Sequence, residues 1–185
     1  MIYNWKKIVK TGLPLLTIAV IVETFAGQIL QGNEDFLIAL PIFLISIPVI
    51  NSVGGNIGSI LGARLASGLH VGYITHSFKD KEMHDNVIIS ILIGFISYFV
   101  LGIIIYLVAL LGNNVSDIDL IEFVAIIVLT GGLLVFVIAI VSVLTAFISF
   151  KRGLDPDDMV APVVTTVGDI LGIGFLFLIL GAFGI

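Results

Sequence analysis

Two carboxylates stand where carboxylates are costly. Asp169 lies inside the apolar run 159–185, and Glu23 lies in the second half of the apolar run 11–30. Both runs reach or exceed the roughly 20 residues that an α-helix needs to cross a bilayer. An acid at that depth faces a bundle interior or a water-filled path and needs a partner. Thr165 falls one turn before Asp169 and Pro162 two turns before it, on the same helical face. Gly168, Gly172 and Gly174 leave backbone uncovered, so another helix or an ion can come close. One acid on a polar, glycine-lined stripe suits a cation pathway. The alternative is a structural aspartate hydrogen-bonded to a neighbouring helix.

Such residues need spanning helices to hold them, and the composition supplies these. Hydrophobic residues make up 59% of the chain and charged residues 11%, with a mean hydropathy of +1.24. A chain of 185 residues cannot hide that much apolar surface from water, so the fold class is all-α and polytopic in a membrane. The absence of cysteine excludes disulfides and thiolate metal sites. The first apolar stretch has no small-residue cleavage site and reads as a retained span. One membrane domain over residues 1–185 is expected, with no soluble regulatory domain.

Five spans follow in order. Residues 1–10, with Trp5, Lys6, Lys7 and Lys10, form an interfacial lead. Span one covers 11–30 and span two 36–63. Span two contains Pro41, Pro48 and the sequence N-S-V-G-G-N-I-G, which predicts an interrupted helix. Broken helices persist at membrane depth only where protein or water satisfies the freed backbone, so residues 51–58 would line a cavity. A proline-kinked helix packing closely through its glycines accounts for the same residues. Residues 64–86 read as a polar cytoplasmic connection with short amphipathic helix character, whose His70, His76 and His84 lack metal-ligand spacing and count as surface histidines. Span three covers 87–111 and span four 120–150. The loop between them, 112–119, carries Gly112, Asn113, Asn114, Asp117 and Asp119. Span four, with Gly131 and Gly132 as a close-packing point, is long enough to tilt or project. Asp155 and Pro156 predict the cap and first residue of the last helix, with Asp157 and Asp158 at its positive end.

Charge orients the bundle. With the N-terminus inside, all eight lysines and arginines (Lys6, Lys7, Lys10, Arg64, Lys79, Lys81, Lys151, Arg152) fall on the cytoplasmic side. The outer loops then hold Glu34, Asp35, Asp117 and Asp119, with Glu122 just inside the next span. That pattern predicts a C-terminus outside and an acidic face that concentrates cations. The segments P-V-I-N-S-V-G-G-N-I-G from Pro48 and P-V-V-T-T-V-G-D-I-L-G from Pro162 also run parallel. They lie in spans of opposite direction, as in the inverted repeats from which transporters build midplane sites. If the repeat is real, Asn51, Ser52 and Gly55 stand opposite Thr165, Thr166 and Asp169.

The segment D-P-D-D-M-V-A-P-V-V-T-T-V-G-D, residues 155–169, resembles the last transmembrane helix of the MgtE-type magnesium transporters and their eukaryotic solute-carrier relatives. The segment P-V-I-N-S-V-G-G-N-I-G-S-I-L-G-A-R-L-A-S-G from Pro48 resembles the second helix of the same family. The resemblance implies a homodimer with a cation path on its two-fold axis. Asp169 would bind the ion, aided by the main-chain carbonyl of Thr165, and the polar segment of Asn51, Ser52 and Asn56 would line the path. Ser52 stands where some members have an acid, Ile60 where they have glutamine, and Glu23 maps to no family motif; Glu23 is retained as a candidate ligand or coupling group, with a hydrogen-bonded interhelical residue as the alternative.

The chemistry agrees with the resemblance. Mg²⁺ keeps several waters and takes one or two carboxylates, and a two-fold axis would double one aspartate into two. Oxygen ligands would also admit Mn²⁺, Co²⁺ or Ca²⁺. The expected partners are the lipid bilayer, divalent cations and a second copy of the chain in the plasma membrane. No cofactor and no nucleic acid is called for. Three other readings remain. One is a Na⁺- or H⁺-coupled divalent-cation exchanger. Another is an intramembrane aspartyl protease, which Gly168-Asp169 echoes but which lacks a second intramembrane aspartate for its dyad. The third is a non-transporting membrane subunit, and transport itself makes the protein no enzyme.

Overall fold

A computed structural model describes residues 5–112, 115 and 118–185, with the backbone alone for residues 5–8 and 11. Six helices account for the architecture: α1 (Trp5–Gly32), α2 (Glu34–Ala39), α3 (Pro41–Val71), α4 (Lys81–Leu111), α5 (Leu120–Lys151) and α6 (Pro156–Phe183). All but α2 are long and apolar enough to cross a membrane. No strand occurs among the described residues. The expected anchors Lys6 and Lys7, and Asn113, Asn114 and Asp117 of the outer loop, lie outside the described side chains or residues. At about 1.5 Å per residue a 31-residue helix such as α3 or α4 spans roughly 46 Å. The hydrocarbon core is about 30 Å thick, so these helices tilt or project beyond it.

The helix ends follow from local sequence. Leu40 precedes a proline, which disfavours helical backbone there, and it sits at φ −127 and ψ 70 between α2 and α3. Gly72 closes α3 in the left-handed region at φ 88, which suits glycine. Asp80 caps α4, its carboxylate accepting from the Met83 N–H at 3.0 Å. The same carboxylate accepts from the Thr75 hydroxyl at 2.6 Å and the Thr75 N–H at 2.9 Å. These bonds, the Thr75 hydroxyl first, lower the Asp80 pKa to about 2. At the start of α6 the expected cap is present: Asp155 accepts from the Asp157 N–H at 3.1 Å, with Pro156 in the first turn.

Two sequence expectations are corrected. Helix α3 runs unbroken through residues 51–58 and α6 unbroken through Pro162, so neither is interrupted at its glycine-rich segment. The break in the second segment falls at Leu40, before Pro41. A single internal proline removes one donor, and the glycines that follow are used for packing instead of unwinding. The polar connection is also shorter than residues 64–86: α3 continues to Val71 because Leu65, Ala66 and Leu69 are buried along one face, and α4 begins at Lys81.

Helix α3 occupies the centre, packed by α4, α5 and α6, while α1 lies against α6. Gly54 meets Leu134 of α5, Gly58 meets Ile138 of α5 and Val164 of α6, and Gly62 meets Val160 of α6. Small residues of this kind let helix backbones approach inside a membrane. Two side chains bond the α3 backbone from outside: Tyr98 donates to the Ile50 carbonyl at 2.7 Å and Ser142 to the Gly58 carbonyl at 3.0 Å. Helix α1 leaves Leu13, Leu16, Ile18, Ile21 and Phe25 exposed, a face fit for lipid or another chain.

Candidate functional site

Helices α3 and α6 run antiparallel, and their contacts descend in opposite order. Gly62 meets Val160, Gly58 meets Val164, Gly55 meets Thr165, and Asn51 meets Asp169 and Gly172. The two segments that look alike in sequence therefore face each other. At the Asp169 level the seam is polar. Asn51 is buried, and its Nδ2 donates to the main-chain carbonyl of Asp169 at 3.1 Å. Its Oδ1 is enclosed without a hydrogen-bond partner and lies where a Cβ on Gly172 would stand.

A cavity of about 460 Å³ opens beside this seam, between α1, α3 and α6. Glu23 and Asp169 both line it, with Asn51, Pro48, Ala26 and Gly27. No lysine or arginine is among the described lining residues. Glu23 reaches it from α1, where its Oε1 accepts from the Thr166 hydroxyl at 3.5 Å. Asp169 is half-buried and Glu23 exposed within the single chain. Carboxylates sharing a cavity repel unless a cation or a proton stands between them. The arrangement can therefore receive a cation without having to displace a resident basic side chain.

The other expected site residues are less tightly grouped. The Thr165 hydroxyl donates to its own helix, to the Ala161 carbonyl at 3.0 Å and the Pro162 carbonyl at 3.1 Å, while its Cγ2 packs on Gly55. Ser52 and Asn56 do not line the cavity; they share an exposed face of α3, where Asn56 Nδ2 donates to Ser52 Oγ at 3.5 Å. Among the candidates, then, the structure brings Asp169, Asn51 and Glu23 to one cavity and leaves Thr165, Ser52 and Asn56 beside it. Sequence reasoning gave no site role to Pro48, Ala26 and Gly27 of the cavity wall. Only the position of α1 against α6 reveals the last two.

The histidines behave as surface groups. His76 is exposed, its Nε2 lies 3.0 Å from the Phe147 carbonyl, and its ring packs on Phe147 at 4.8 Å between centroids. His70 meets the Phe150 ring edge at 5.6 Å. Among the described residues no three histidines, aspartates or glutamates cluster in a metal-binding group.

Five helices long and apolar enough to span a membrane, with a cavity between three of them that Glu23 and Asp169 line, define a multi-pass membrane protein. Comparison with known proteins specifies it further. The chain belongs to the MgtE family of divalent cation transporters, whose model matches residues 47–179. That match takes in Asn51, Ser52, Asn56, Thr165 and Asp169 and leaves Glu23 outside. Solute carrier family 41 member 3 of Mus musculus is 24% identical over 195 aligned positions, covering 93% of this chain. The chain spans 38% of the length of that relative. No solved structure matches the chain.

Proposed function

We propose that the protein carries divalent cations, chiefly Mg²⁺, across the plasma membrane, with Asp169 as the principal ion-binding residue. One observation carries the reading: the carboxylates of Asp169 and Glu23 line one interhelical cavity without a basic side chain among its described walls. All eight lysines and arginines lie towards helix ends or connections in the sequence. At membrane depth the carboxylate needs a partner, and an ion from solution meets that need. The cavity volume of about 460 Å³ equals roughly fifteen water volumes. That is room for an ion that keeps most of its hydration, as Mg²⁺ does. The carboxylate oxygens of Asp169 and Glu23 would also accept Mn²⁺, Co²⁺ or Ca²⁺ to some degree.

The path is completed by a second copy in this reading. Ser52 and Asn56 are polar and exposed on a spanning helix, a poor surface to present to lipid. A two-fold partner would cover them and place a second Asp169 near the first. In such a pair the main-chain carbonyl of Thr165, and Ser52 and Asn56, would hold the outer waters of the ion. Cross-linking in native membranes should return a dimer, and monomer alone would count against this assembly.

Asp169→Asn tests the site because it keeps the shape and removes the charge. Purified into proteoliposomes, it should dimerise as the wild type does and lose most of its Mg²⁺ flux. Flux at the wild-type rate would show that the ion is held elsewhere, around Glu23 or Asn56. The same vesicles, with and without an imposed Na⁺ or H⁺ gradient, separate passive flow from coupled exchange. Glu23, which shares the cavity with Asp169, is the group through which coupling would act.

A further inference from the structure

The contact between Asn51 and Gly172 fixes how Asp169 is presented. Asn51 is 8% exposed. Its amide nitrogen is engaged by the Asp169 carbonyl at 3.1 Å, which determines which end of the amide points the other way. The oxygen is left without a partner and fills the space that a side chain at position 172 would need. Leu134 Cδ2 stands 3.4 Å from the same point and closes it from α5. A methyl group at 172 would meet both Asn51 and Leu134. The easier side chain to displace is the amide, and turning it breaks its bond to Asp169.

Gly172 is thus required for space, since it sits in ordinary helical backbone between Asp169 and the end of α6. It lies one turn after Asp169 on the same face, so Asn51 touches α6 at two successive levels. A buried amide that fills a defined slot and donates one directed bond fixes both rotation and register of the helix it grips. What it grips is the main chain of the residue whose carboxylate lines the cavity.

We propose that Asn51 and Gly172 form a lock that positions the Asp169 carboxylate for a divalent cation, Asn51 acting through Asp169 and not as the ion's own ligand. The inference rests on the reading of Asp169 as the ion-binding residue. It predicts that the lock sets ion affinity more than it sets stability. Helices α3 and α6 also pack through Gly55, Gly58 and Gly62, so the seam survives loss of one bond, whereas the placement of the carboxylate does not.

The test is Mg²⁺ uptake by the full chain in proteoliposomes as a function of Mg²⁺ concentration, with thermal unfolding in detergent alongside. Gly172→Ala and Asn51→Leu should each raise the half-saturating concentration by about fivefold, the factor that one buried hydrogen bond carries. Gly181→Ala, on the same helix with nothing within 4 Å of its added methyl, should match wild type. In an Asn51→Ala background, Gly172→Ala should add nothing, because the atom it displaced is gone. Asn51→Leu should unfold within a few degrees of wild type; a purely structural role predicts the reverse, a falling midpoint with unchanged half-saturation. Additive effects of Asn51→Ala and Gly172→Ala, or wild-type half-saturation in Asn51→Leu, would overturn the lock. If Gly172→Ala fails to fold, Asn51→Leu alone decides. Asp169→Asn run in parallel separates the two failures: a dead Asp169→Asn with unaffected lock variants refutes the lock only, and an active Asp169→Asn refutes the site beneath it.

Discussion

Replacing Gly131 by alanine should loosen the brace that α4 and α5 apply to α3. Tyr98 of α4 is fully buried, and its hydroxyl donates to the Ile50 carbonyl at 2.7 Å. Its ring lies directly on Gly131 of α5, so an added Cβ would meet Cγ and both Cδ atoms. These atoms are at the base of a rigid ring and cannot move aside by a simple rotation. Overpacking of this kind costs about 1–3 kcal/mol. A ring pushed aside also loses its hydrogen bond, about 1 kcal/mol more. Alanine returns about 1 kcal/mol as the better helix former. The net expectation is a loss of about 1–3 kcal/mol. Tyr98→Phe keeps the ring in place and should cost only about 0.5–1.5 kcal/mol, towards the lower end because such bonds average less in membranes. Unfolding in mixed micelles of rising SDS content reads these differences as midpoint shifts. In a Tyr98→Ala background the alanine at 131 should cost nothing. An unshifted midpoint for Gly131→Ala, or the same penalty with and without the ring, would refute the steric reasoning.

Two further expectations test the ends of the bundle. Glu34→Cys should react with an impermeant thiol reagent applied from outside, and Lys79→Cys should not; external labelling at 79 would invert the orientation. The Asp80 carboxylate, with its pKa lowered to about 2 chiefly by the Thr75 hydroxyl, should support the 72–80 connection in full above the ordinary aspartate range near about pH 4. That support fades as pH falls through about 2, since a depressed folded pKa favours folding only while the group is ionised. Asp80→Ala, which removes the oxygen that accepts from the Met83 N–H, should raise hydrogen exchange at the start of α4 at neutral pH, and unchanged exchange there would show that the cap contributes nothing.

The spans were legible because lipid imposes one rule on all of them: an apolar run long enough to cross must close its own backbone bonds. That rule places the five spanning helices but says little about their ends. Residues 64–71 look polar because they carry Arg64, Ser67 and His70, yet Leu65, Ala66 and Leu69 turn one face into the bundle and hold the helix together. Proline and glycine misled for a related reason. Both weaken a helix in isolation, so Pro48 with Gly54, Gly55 and Gly58 suggested unwinding. The neighbours decide the outcome: Leu134, Ile138, Thr165 and Val164 fill the space that the absent side chains leave. Close packing then keeps α3 helical where the local sequence alone would permit a break.

The site was legible to the extent that its cost was visible. Asp169 and Glu23 announce themselves as acids in apolar runs, and the match between the two Pro-to-Gly segments set Asn51 against Thr165 and Gly55 against Asp169; the antiparallel helices pair them in reverse, Asn51 with Asp169 and Gly55 with Thr165. Reach across helices was not legible. Glu23 precedes Thr166 by 143 positions, and nothing in either neighbourhood encodes that their oxygens approach to 3.5 Å; only the packing of α1 on α6 brings them together. Gly172 shows the same limit from the other side. In the sequence it is one of three glycines around Asp169, with Gly168 and Gly174, that could admit a helix or an ion, all alike. In the fold Gly174 faces open space, while Gly172 receives the amide of Asn51. What distinguishes them is the direction each takes around the helix relative to α3. That direction follows from register, which the spacing between Asp169 and Gly172 sets once Asn51 has bonded the first and occupied the second.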